Sequence, residues 1–197
     1  MSDLFQAPDA KRPNAINHFA AAISGLAARE KDDFYATPTK CTDALLRVEQ
    51  FTGPIWEPAC GNGAISRALP GTVISTDLVD RGFGASRRDF LMERDLLAPN
   101  IVTNPPFKLA DEFVLHGLAL GAEKIAIFMR LAWLEGRARH ASLWGPHPAA
   151  RIWVFCGRQT LWRGDDPDAK DKGGAIAFAW FVWERGYQGA PAIGWLP

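Results

Sequence analysis

The sequence lacks the features that mark several large classes of protein. Its cysteines are Cys41, Cys60 and Cys156, which are too few and too widely spaced for a disulfide framework or a zinc site. No apolar run approaches the length that crosses a membrane, and no basic-then-apolar segment typical of a secretory signal stands at the N-terminus. We therefore expect a cytoplasmic protein with no metal site and no membrane partner.

The sequence also has no excess of positive or negative charge. Lys and Arg total 22, as do Asp and Glu, so the formal net charge is zero. This balance argues against a protein that coats nucleic acid or membrane through overall positive charge, but it leaves room for a local basic surface. With 197 residues, 48% of them hydrophobic, the chain is long enough for one domain with a substantial core.

The sequence does contain a regular alternation of short apolar runs and segments with helical periodicity, which predicts an α/β fold with a mainly parallel sheet covered by helices. The predicted strands are 55–57, 72–77, 101–104, 125–129, 151–156 and 175–183, with one more ending at Asp89. The predicted helices are 14–30, 39–50, 108–120 and 131–143, with the start of one at 64–69. The expected units are an arm with an amphipathic helix (1–30), the main domain (31–185) and an irregular tail (186–197).

A glycine-containing loop follows the first of these strands. Glu57, Gly61 and Gly63 lie between a strand and a helix, where glycines let the backbone turn tightly and approach a ligand. A dinucleotide-binding loop needs a third glycine, but Ser66 stands there, and a carboxylate at Glu57 disfavours a bound pyrophosphate. The same carboxylate favours a cationic ligand that carries an ammonium and a sulfonium group. Two glycines alone are equally compatible with an ordinary turn.

Acidic residues also end the strands that follow. Asp77 is placed to accept hydrogen bonds from two ribose hydroxyls. Asp89 is placed to accept one from an adenine amino group, with Phe90 available to pack on the ring, although an exposed turn accounts for Asp89 nearly as well. The ordered series is harder to obtain by chance than any one of its members.

The apolar run 101–103 stops abruptly at Asn104-Pro105-Pro106-Phe107. Two consecutive prolines can neither continue a helix nor donate hydrogen bonds to a sheet, so Asn104 is expected on a stiff turn at the end of a strand. A polar amide, fixed carbonyl groups and an aromatic ring are thereby held together at the carboxyl end of a strand. Open α/β sheets bind their ligands at that end.

With this ordered set, the chain resembles the class I S-adenosylmethionine-dependent methyltransferases, and among them the small phage-type DNA adenine-N6 methyltransferases. The resemblance is carried by 57–63, Asp77, 89–90 and 104–107, with 34–38 upstream and 130–137 downstream. It implies a Rossmann-like fold with a mostly parallel seven-stranded sheet, helices on both faces and an antiparallel last strand. It also implies S-adenosylmethionine as the cofactor, bound by Tyr35, Thr37, Pro38, Glu57, Ala59, Gly61, Gly63, Asp77, Leu78, Asp89, Phe90 and Asn104.

The resemblance assigns catalysis to Asn104, Pro105, Pro106 and Phe107. The exocyclic amine of adenine is a poor nucleophile because its lone pair is delocalised into the ring. If the Asn104 side-chain oxygen and the Pro105 carbonyl each accept one N6 hydrogen, the lone pair is localised and aimed at the methyl donor. Pro106 would fix the carbonyl, and Phe107 would stack on a base flipped out of a duplex or taken from a single strand.

Contacts to DNA are expected from the catalytic motif onwards, with short target-recognition elements in 137–173, because little room remains between Asp89 and Asn104. Arginines interleaved with aromatic rings suit phosphate contacts and base stacking. Exposed arginines and tryptophans packed on the sheet would account for the same pattern. The candidate contacts are Phe107, Trp133, Arg137, Arg139, Arg158, Arg163 and Lys172.

Other activities stand beside DNA adenine methylation. Cytosine-C5 methylation is excluded because it uses a cysteine preceded by proline, and no Pro-Cys pair occurs here. An RNA base is an alternative, because the same pocket fits any unstacked base. A protein glutamine methyltransferase is disfavoured by Phe107, where those enzymes usually have tyrosine, and by the short segment ahead of 37–38. A non-catalytic, cofactor-binding remnant is disfavoured by the intact Glu57, Asp77 and Asn104. The sequence leaves the recognised DNA site and the oligomeric state open.

Overall fold

The computed structural model describes residues 35–159, 161–163 and 176–197. Its strands are β1 (Tyr35–Ala36), β2 (Ile55–Glu57), β3 (Val73–Ser75), β4 (Asn100–Thr103), β5 (Lys124–Arg130), β6 (Arg151–Phe155), β7 (Trp162–Arg163), β8 (Phe178–Glu184) and β9 (Ala192–Leu196). Its α-helices are α1 (Thr39–Val48), α2 (Ala110–Ala119) and α3 (Arg137–Arg139). Short 3₁₀ turns lie at Phe90–Met92, Phe107–Leu109 and Leu131–Leu134, and a π turn lies at His140–Trp144.

One sheet of seven strands has the order β3-β2-β4-β5-β8-β6-β9. The first four strands in this order run parallel to one another. Strand β8 is antiparallel to β5 and β6, and β9 is parallel to β6. A separate two-stranded sheet pairs β1 with β7 in antiparallel fashion. The predicted α/β fold with a mostly parallel seven-stranded sheet is thereby confirmed.

Both faces of the sheet are covered, because its central strands carry apolar side chains on both sides. In β5, Ile125 joins a buried cluster that includes Phe113 of α2. The next residue, Ala126, belongs to a second cluster that includes Leu45 of α1. Successive residues of a strand point to opposite faces, so α1 and α2 pack on opposite sides of the sheet.

Most of the tryptophans whose side chains are described belong to the core. Trp56, Trp180 and Trp183 are fully buried. The rings of Trp133, Trp144 and Trp183 pack together, with centroid distances of 5.0, 5.9 and 5.5 Å. For these rings, packing against the sheet is the correct account, and all of them except the half-buried Trp144 are too buried to stack on a nucleic-acid base.

An ion-pair network lies at the amino end of the parallel strands. Glu49, just after α1, is buried and accepts hydrogen bonds from Arg151, from the Lys124 ammonium at 3.0 Å and from the Trp153 indole at 2.8 Å. Burial alone would raise the pKa of Glu49, but these donors lower it below its usual value. Because Lys124 and Arg151 begin β5 and β6, the network lies at the edge opposite the carboxyl ends of those strands.

The tail is the clearest departure from the sequence prediction. Residues 192–196, expected to be irregular, form β9 at the edge of the sheet. Gly194 is part of the reason, because a Cβ there would lie 2.1 Å from an atom of the Trp153 ring on the neighbouring strand. Glycine weakens a strand, but close packing between the two strands requires glycine at position 194.

Three further predictions of elements are wrong. No strand ends at Asp89; positive φ angles at Gly82, Gly84 and Arg87 interrupt the extended backbone, and an isolated bridge joins Thr76 to Ala85. Residues 64–69 form irregular helical turns instead of a regular helix. The helix expected at 131–143 is broken at Gly136, whose φ is 116°. The helix expected at 14–30 lies outside the described residues, as does most of the 163–173 loop.

Candidate active site

Two predicted site residues, Glu57 and Asn104, lie at the carboxyl ends of the parallel strands, and Arg130 lies there with them. Glu57 is the last residue of β2, Asn104 follows β4 directly, and Arg130 is the last residue of β5. These three strands are neighbours and run in the same direction. Their ends therefore form one edge, the position at which open α/β sheets bind ligands.

The glycine loop after β2 is held by Asp77. The Gly61 N–H donates to Asp77 Oδ2 at 2.7 Å, and the Val79 N–H donates to Asp77 Oδ1 at 2.8 Å. Each carboxylate oxygen keeps acceptor capacity for a second donor, as binding of a ribose would require. Gly61 and Gly63 have φ angles of 55° and 82°, in the left-handed region where side chains are strained.

Glu57 is a buried acid beneath this loop, with 1% of its surface exposed. The Ser66 hydroxyl donates to it through a short hydrogen bond and lies 2.6 Å from the Ser75 hydroxyl. Burial raises the pKa of Glu57 to about 8, although the bonds from Ser66 act in the opposite direction. Glu57 therefore holds a proton at neutral pH, and a cationic ligand nearby would favour its release. In the sequence, Ser66 was notable only because it stands where a dinucleotide-binding loop has glycine. In the structure, Ser66 is the hydrogen-bond partner of Glu57.

The Asn104 amide is fixed at one end and unpaired at the other. Its Nδ2 donates to the Tyr35 carbonyl at 3.1 Å and to Thr37 Oγ1 at 3.0 Å. These two acceptors set the orientation of the amide and use both of its N–H groups. Its Oδ1 is buried and has no hydrogen-bond partner. A buried acceptor left unpaired is costly, and such groups are found where a ligand or water completes them.

The Thr-Pro segment contacts the Asn104 side chain. Thr37 is buried and its hydroxyl lies against Asn104. The Pro38 carbonyl accepts a hydrogen bond from the Cys41 N–H at 2.8 Å, at the start of α1. The sequence assigned Tyr35, Thr37 and Pro38 to cofactor binding, and it contained no signal for their contact with Asn104.

The ring of Phe107 is contacted on several sides. It lies parallel to the Tyr35 ring, with centroids 5.9 Å apart and planes inclined by 9°. The guanidinium carbon of Arg130 lies 4.3 Å from its centroid. The Pro106 carbonyl accepts from the Leu109 N–H at 2.8 Å, which starts the 3₁₀ turn that carries Phe107. The half-buried ring is thereby held beside Asn104, and its stacking on a base stays a prediction.

The structure corrects the expectation for Phe90 and shows a capping role for Asp89. Asp89 Oδ1 accepts from the Leu91 N–H at 3.0 Å and caps the 3₁₀ turn that follows. Phe90 is 2% exposed and packs between Trp56 and Phe113, with centroid distances of 5.1 and 4.8 Å. Its ring is therefore a core residue and cannot lie against a bound adenine.

Phe83 is an aromatic neighbour of the glycine loop that the sequence did not reveal. A Cβ at Gly63 would lie 2.6 Å from the Phe83 ring, so the ring rests directly on the loop. The Arg67 guanidinium lies 4.6 Å from its centroid. The only available signal was an aromatic residue between Gly82 and Gly84. The other loop-edge candidates are Leu78, which is 42% exposed, and Ala59, which is half-buried against the core.

The predicted DNA contacts divide into three groups. Trp133 is 5% exposed and its indole donates to Asp111 at 2.6 Å, while Arg139 pairs with the same carboxylate at 3.0 Å. Both residues have structural roles, so the predicted DNA contact is wrong for Trp133. The Arg139 guanidinium is already bound to Asp111 and is not available for the DNA contact that was predicted for it. Arg137 and Arg158 are exposed. The Arg163 side chain and Lys172 lie outside the described residues.

Other kinds of site find no support in the part of the chain that the structure describes. No cluster of three or more His, Cys, Asp or Glu side chains there could hold a metal ion. Burial raises the pKa of the Cys41 and Cys60 thiols to about 12 in each case, so neither forms a nucleophilic thiolate at neutral pH. Within the same ranges, every helix is too short or too polar to span a membrane.

Comparison with known proteins identifies the fold. No protein-family model matches the sequence, and no curated protein matches it. Similar solved structures include a predicted O-methyltransferase from Agrobacterium tumefaciens, with a TM-score of 0.54, 12% identity, and coverage of 80% of this chain and 85% of that one. The chain shares its fold with that structure.

Two further structures share this fold. The modification subunit of a type I restriction enzyme from Vibrio vulnificus has a TM-score of 0.50 and 13% identity, over 89% of this chain and 50% of that one. A dimethyladenosine transferase from Plasmodium falciparum has a TM-score of 0.51 and 10% identity, over 77% of this chain and 63% of that one. This chain therefore spans about half the length of the Vibrio subunit.

Proposed function

We propose that the protein is an S-adenosylmethionine-dependent methyltransferase that modifies the N6 amino group of adenine in DNA. The observation that carries the proposal is the Asn104 side chain, whose Oδ1 is a buried acceptor without a partner. Its Nδ2 is already occupied by Tyr35 and Thr37, so the amide can offer only an acceptor to a ligand. An exocyclic amine supplies the donor that this oxygen lacks.

The residues around the glycine loop fit S-adenosylmethionine, which supplies an electrophilic methyl group when bound. Asp77 keeps acceptor capacity for ribose hydroxyls beside Gly61. Glu57 is a buried carboxyl group that a cation would convert to its ionised form. The missing side chains of Gly61 and Gly63 leave the backbone open to close approach.

The catalytic role of the chain is to orient the amine and the base. Asn104 Oδ1 accepts one N6 hydrogen and the Pro105 carbonyl accepts the other, which withdraws the lone pair from the ring and directs it outwards. Phe107 holds the base in the plane that makes both contacts. Preorganised acceptors of this kind contribute about 2.7–4 kcal/mol each to the lowering of a barrier.

Two of the similar structures bear names that favour a nucleic-acid substrate. One is a restriction-enzyme modification subunit and the other is a dimethyladenosine transferase. Both names support an adenine-directed or DNA-directed activity for this chain. The unpaired Asn104 oxygen and the Phe107 ring would suit an unstacked adenine of RNA equally well, so RNA is the second candidate.

The test is methyl transfer from labelled S-adenosylmethionine to duplex DNA, single-stranded DNA, RNA and protein, followed by digestion and identification of the labelled product. We expect N6-methyladenine from DNA. Label in RNA or protein alone would refute the DNA assignment.

Asn104→Ala is expected to lower the methylation rate about 100- to 1000-fold, because it removes the acceptor that orients the amine. Cofactor affinity, measured by calorimetry, is expected to stay close to that of the wild type. Asn100→Ala is the matched control: it removes a buried asparagine from the other end of β4, whose amide bonds the Thr52 and Pro54 carbonyls. The control is expected to lower stability but to keep the activity per folded molecule.

A further inference from the structure

Arg130 is a cation at the mouth of the site that the sequence did not single out as a site residue. It is exposed, and its guanidinium carbon lies 4.3 Å from the centroid of the Phe107 ring. No carboxylate among the described residues forms an ion pair with it. By contrast, the arginines at 88, 139 and 151 pair with Glu93, Asp111 and Glu49.

The backbone of Arg130 is held by pairing with β8, and its side chain is exposed. Arg130 is opposite Phe178 in the antiparallel pair of β5 and β8, and the next N–H, of Leu131, donates to the Ala177 carbonyl at 2.8 Å. The residue lies three positions beyond Ile127, which pairs with Thr103 at the end of β4. Strand β5 therefore carries Arg130 past the end of β4 and alongside the turn that holds Asn104 and Phe107.

The contact between Arg130 and Phe107 is one that a base can replace. A cation over an aromatic ring at an exposed site is held more weakly than a nucleobase stacked on such a ring. A base that occupies the face of Phe107 would release the guanidinium, whose fork of N–H donors matches the two free oxygens of a phosphodiester. The phosphates on either side of that base are the anions closest to it.

We propose that Arg130 binds a backbone phosphate next to the nucleotide whose base stacks on Phe107. In the free protein its guanidinium covers the ring, and in the complex it moves from the ring to the phosphate. The proposal rests on the proposed function. It makes Arg130 a positioning residue, since it contacts the target nucleotide but not the reacting amine.

The experiment compares two DNA pools that differ only in charge beside the target. In each pool one strand has a single central deoxyadenosine flanked by random C, G and T, and methylation of that strand is measured in the single- or double-stranded form that the wild-type protein methylates. In one pool the linkages on both sides of the deoxyadenosine are phosphodiesters, and in the other they are uncharged methylphosphonates. The measured quantity is kcat/KM for methylation by the wild type, by Arg130→Gln and by Arg185→Gln.

For the wild type, we expect the uncharged linkages to lower kcat/KM about tenfold, as loss of one charged hydrogen-bonded contact does. Arg130→Gln is expected to lose about the same factor on the phosphodiester pool and to be insensitive to the linkage. Arg185→Gln removes an exposed arginine from the opposite edge of the sheet, after β8, and is expected to respond to the linkage as the wild type does.

An Arg130→Gln variant as sensitive to the linkage as the wild type would overturn the proposal while leaving the proposed function intact. A wild-type protein that methylates neither form of the phosphodiester pool overturns the proposed function, and the assignment of Arg130 with it. Cofactor affinity of Arg130→Gln, measured by calorimetry, is expected to equal that of the wild type. A loss there would show that the residue supports the cofactor site instead.

Discussion

At the scale of single residues, the site is defined by what its polar atoms already bind. Asn104 has both amide hydrogens committed to Tyr35 and Thr37, while its Oδ1 is unpaired. The sequence predicted Asn104 as catalytic from its position before two prolines. It could not reveal which oxygen would accept its hydrogens, because those partners come from a distant segment of the chain.

Thr37→Val is expected to lower kcat about tenfold with little change in cofactor affinity, because an Asn104 N–H loses its acceptor and the amide is no longer fixed. The measurement is steady-state methylation with saturating DNA. Thr42→Val is the matched control, since the Thr42 hydroxyl is buried without a partner and its removal is expected to leave both stability and activity unharmed. Equal effects of the two substitutions would contradict the positioning role.

Glu57 predicts a pH dependence of stability. Burial raises its pKa from 4.5 to about 8, so between these values the folded protein keeps a proton that the unfolded chain has released. The free energy of unfolding therefore falls as the pH rises through this interval, by up to about 1.4 kcal/mol per pH unit. Urea titrations of wild type and Glu57→Gln at several pH values check this. The variant is expected to lose this slope, and an unchanged slope would contradict the raised pKa.

At the scale of elements, the sequence was informative where apolar runs are continuous. The strands at 55–57, 101–104 and 125–129 were predicted because buried parallel strands are apolar on both faces. The edge strand β9 was missed because Gly194 and the exposed Ile193 and Trp195 hide its pattern. The strand expected before Asp89 failed because glycines with positive φ redirect the backbone there.

Gly194→Ala tests whether close packing fixes β9. The added Cβ would lie 2.1 Å from the Trp153 ring, so the variant is expected to lose about 2 kcal/mol of unfolding free energy. Gly157→Ala is the control, because a Cβ there meets no atom within 4 Å. Urea denaturation compares the two variants, and a Gly194→Ala protein as stable as the control would show that β9 is not held by this contact.

At the scale of the whole molecule, the two ends of the parallel strands differ in their polar chemistry. At the carboxyl end, Asn104 Oδ1 has no partner and Arg130 pairs with no described carboxylate. At the amino end, the Glu49 carboxylate accepts hydrogen bonds from three side chains. Hydrophobic patterning predicted the sheet that separates these ends. It carried no information about the network at Glu49, which joins residues distant in sequence.

Glu49→Gln is expected to lower the free energy of unfolding by about 3 kcal/mol, because Arg151 and Lys124 lose their buried counterion. The pKa of Glu49 is lowered on folding, so its contribution is present above the ordinary value and is lost as the pH falls through the folded value. Denaturation at neutral and acidic pH checks both points. Glu123→Gln, an exposed neighbour, is the control, and activity per folded molecule is expected to be unchanged in both variants.

The hydrogen bonds that hold Asn104 have a consequence for the time course of folding. They join positions 69 and 67 residues apart in the chain, so they require closure of a long loop. Contacts of such large sequence separation form late relative to local ones. These bonds are therefore expected to form after the local hydrogen bonds of helices α1 and α2. If the proposed methyl transfer is observed, its recovery during refolding is expected to mark the completion of folding rather than its onset.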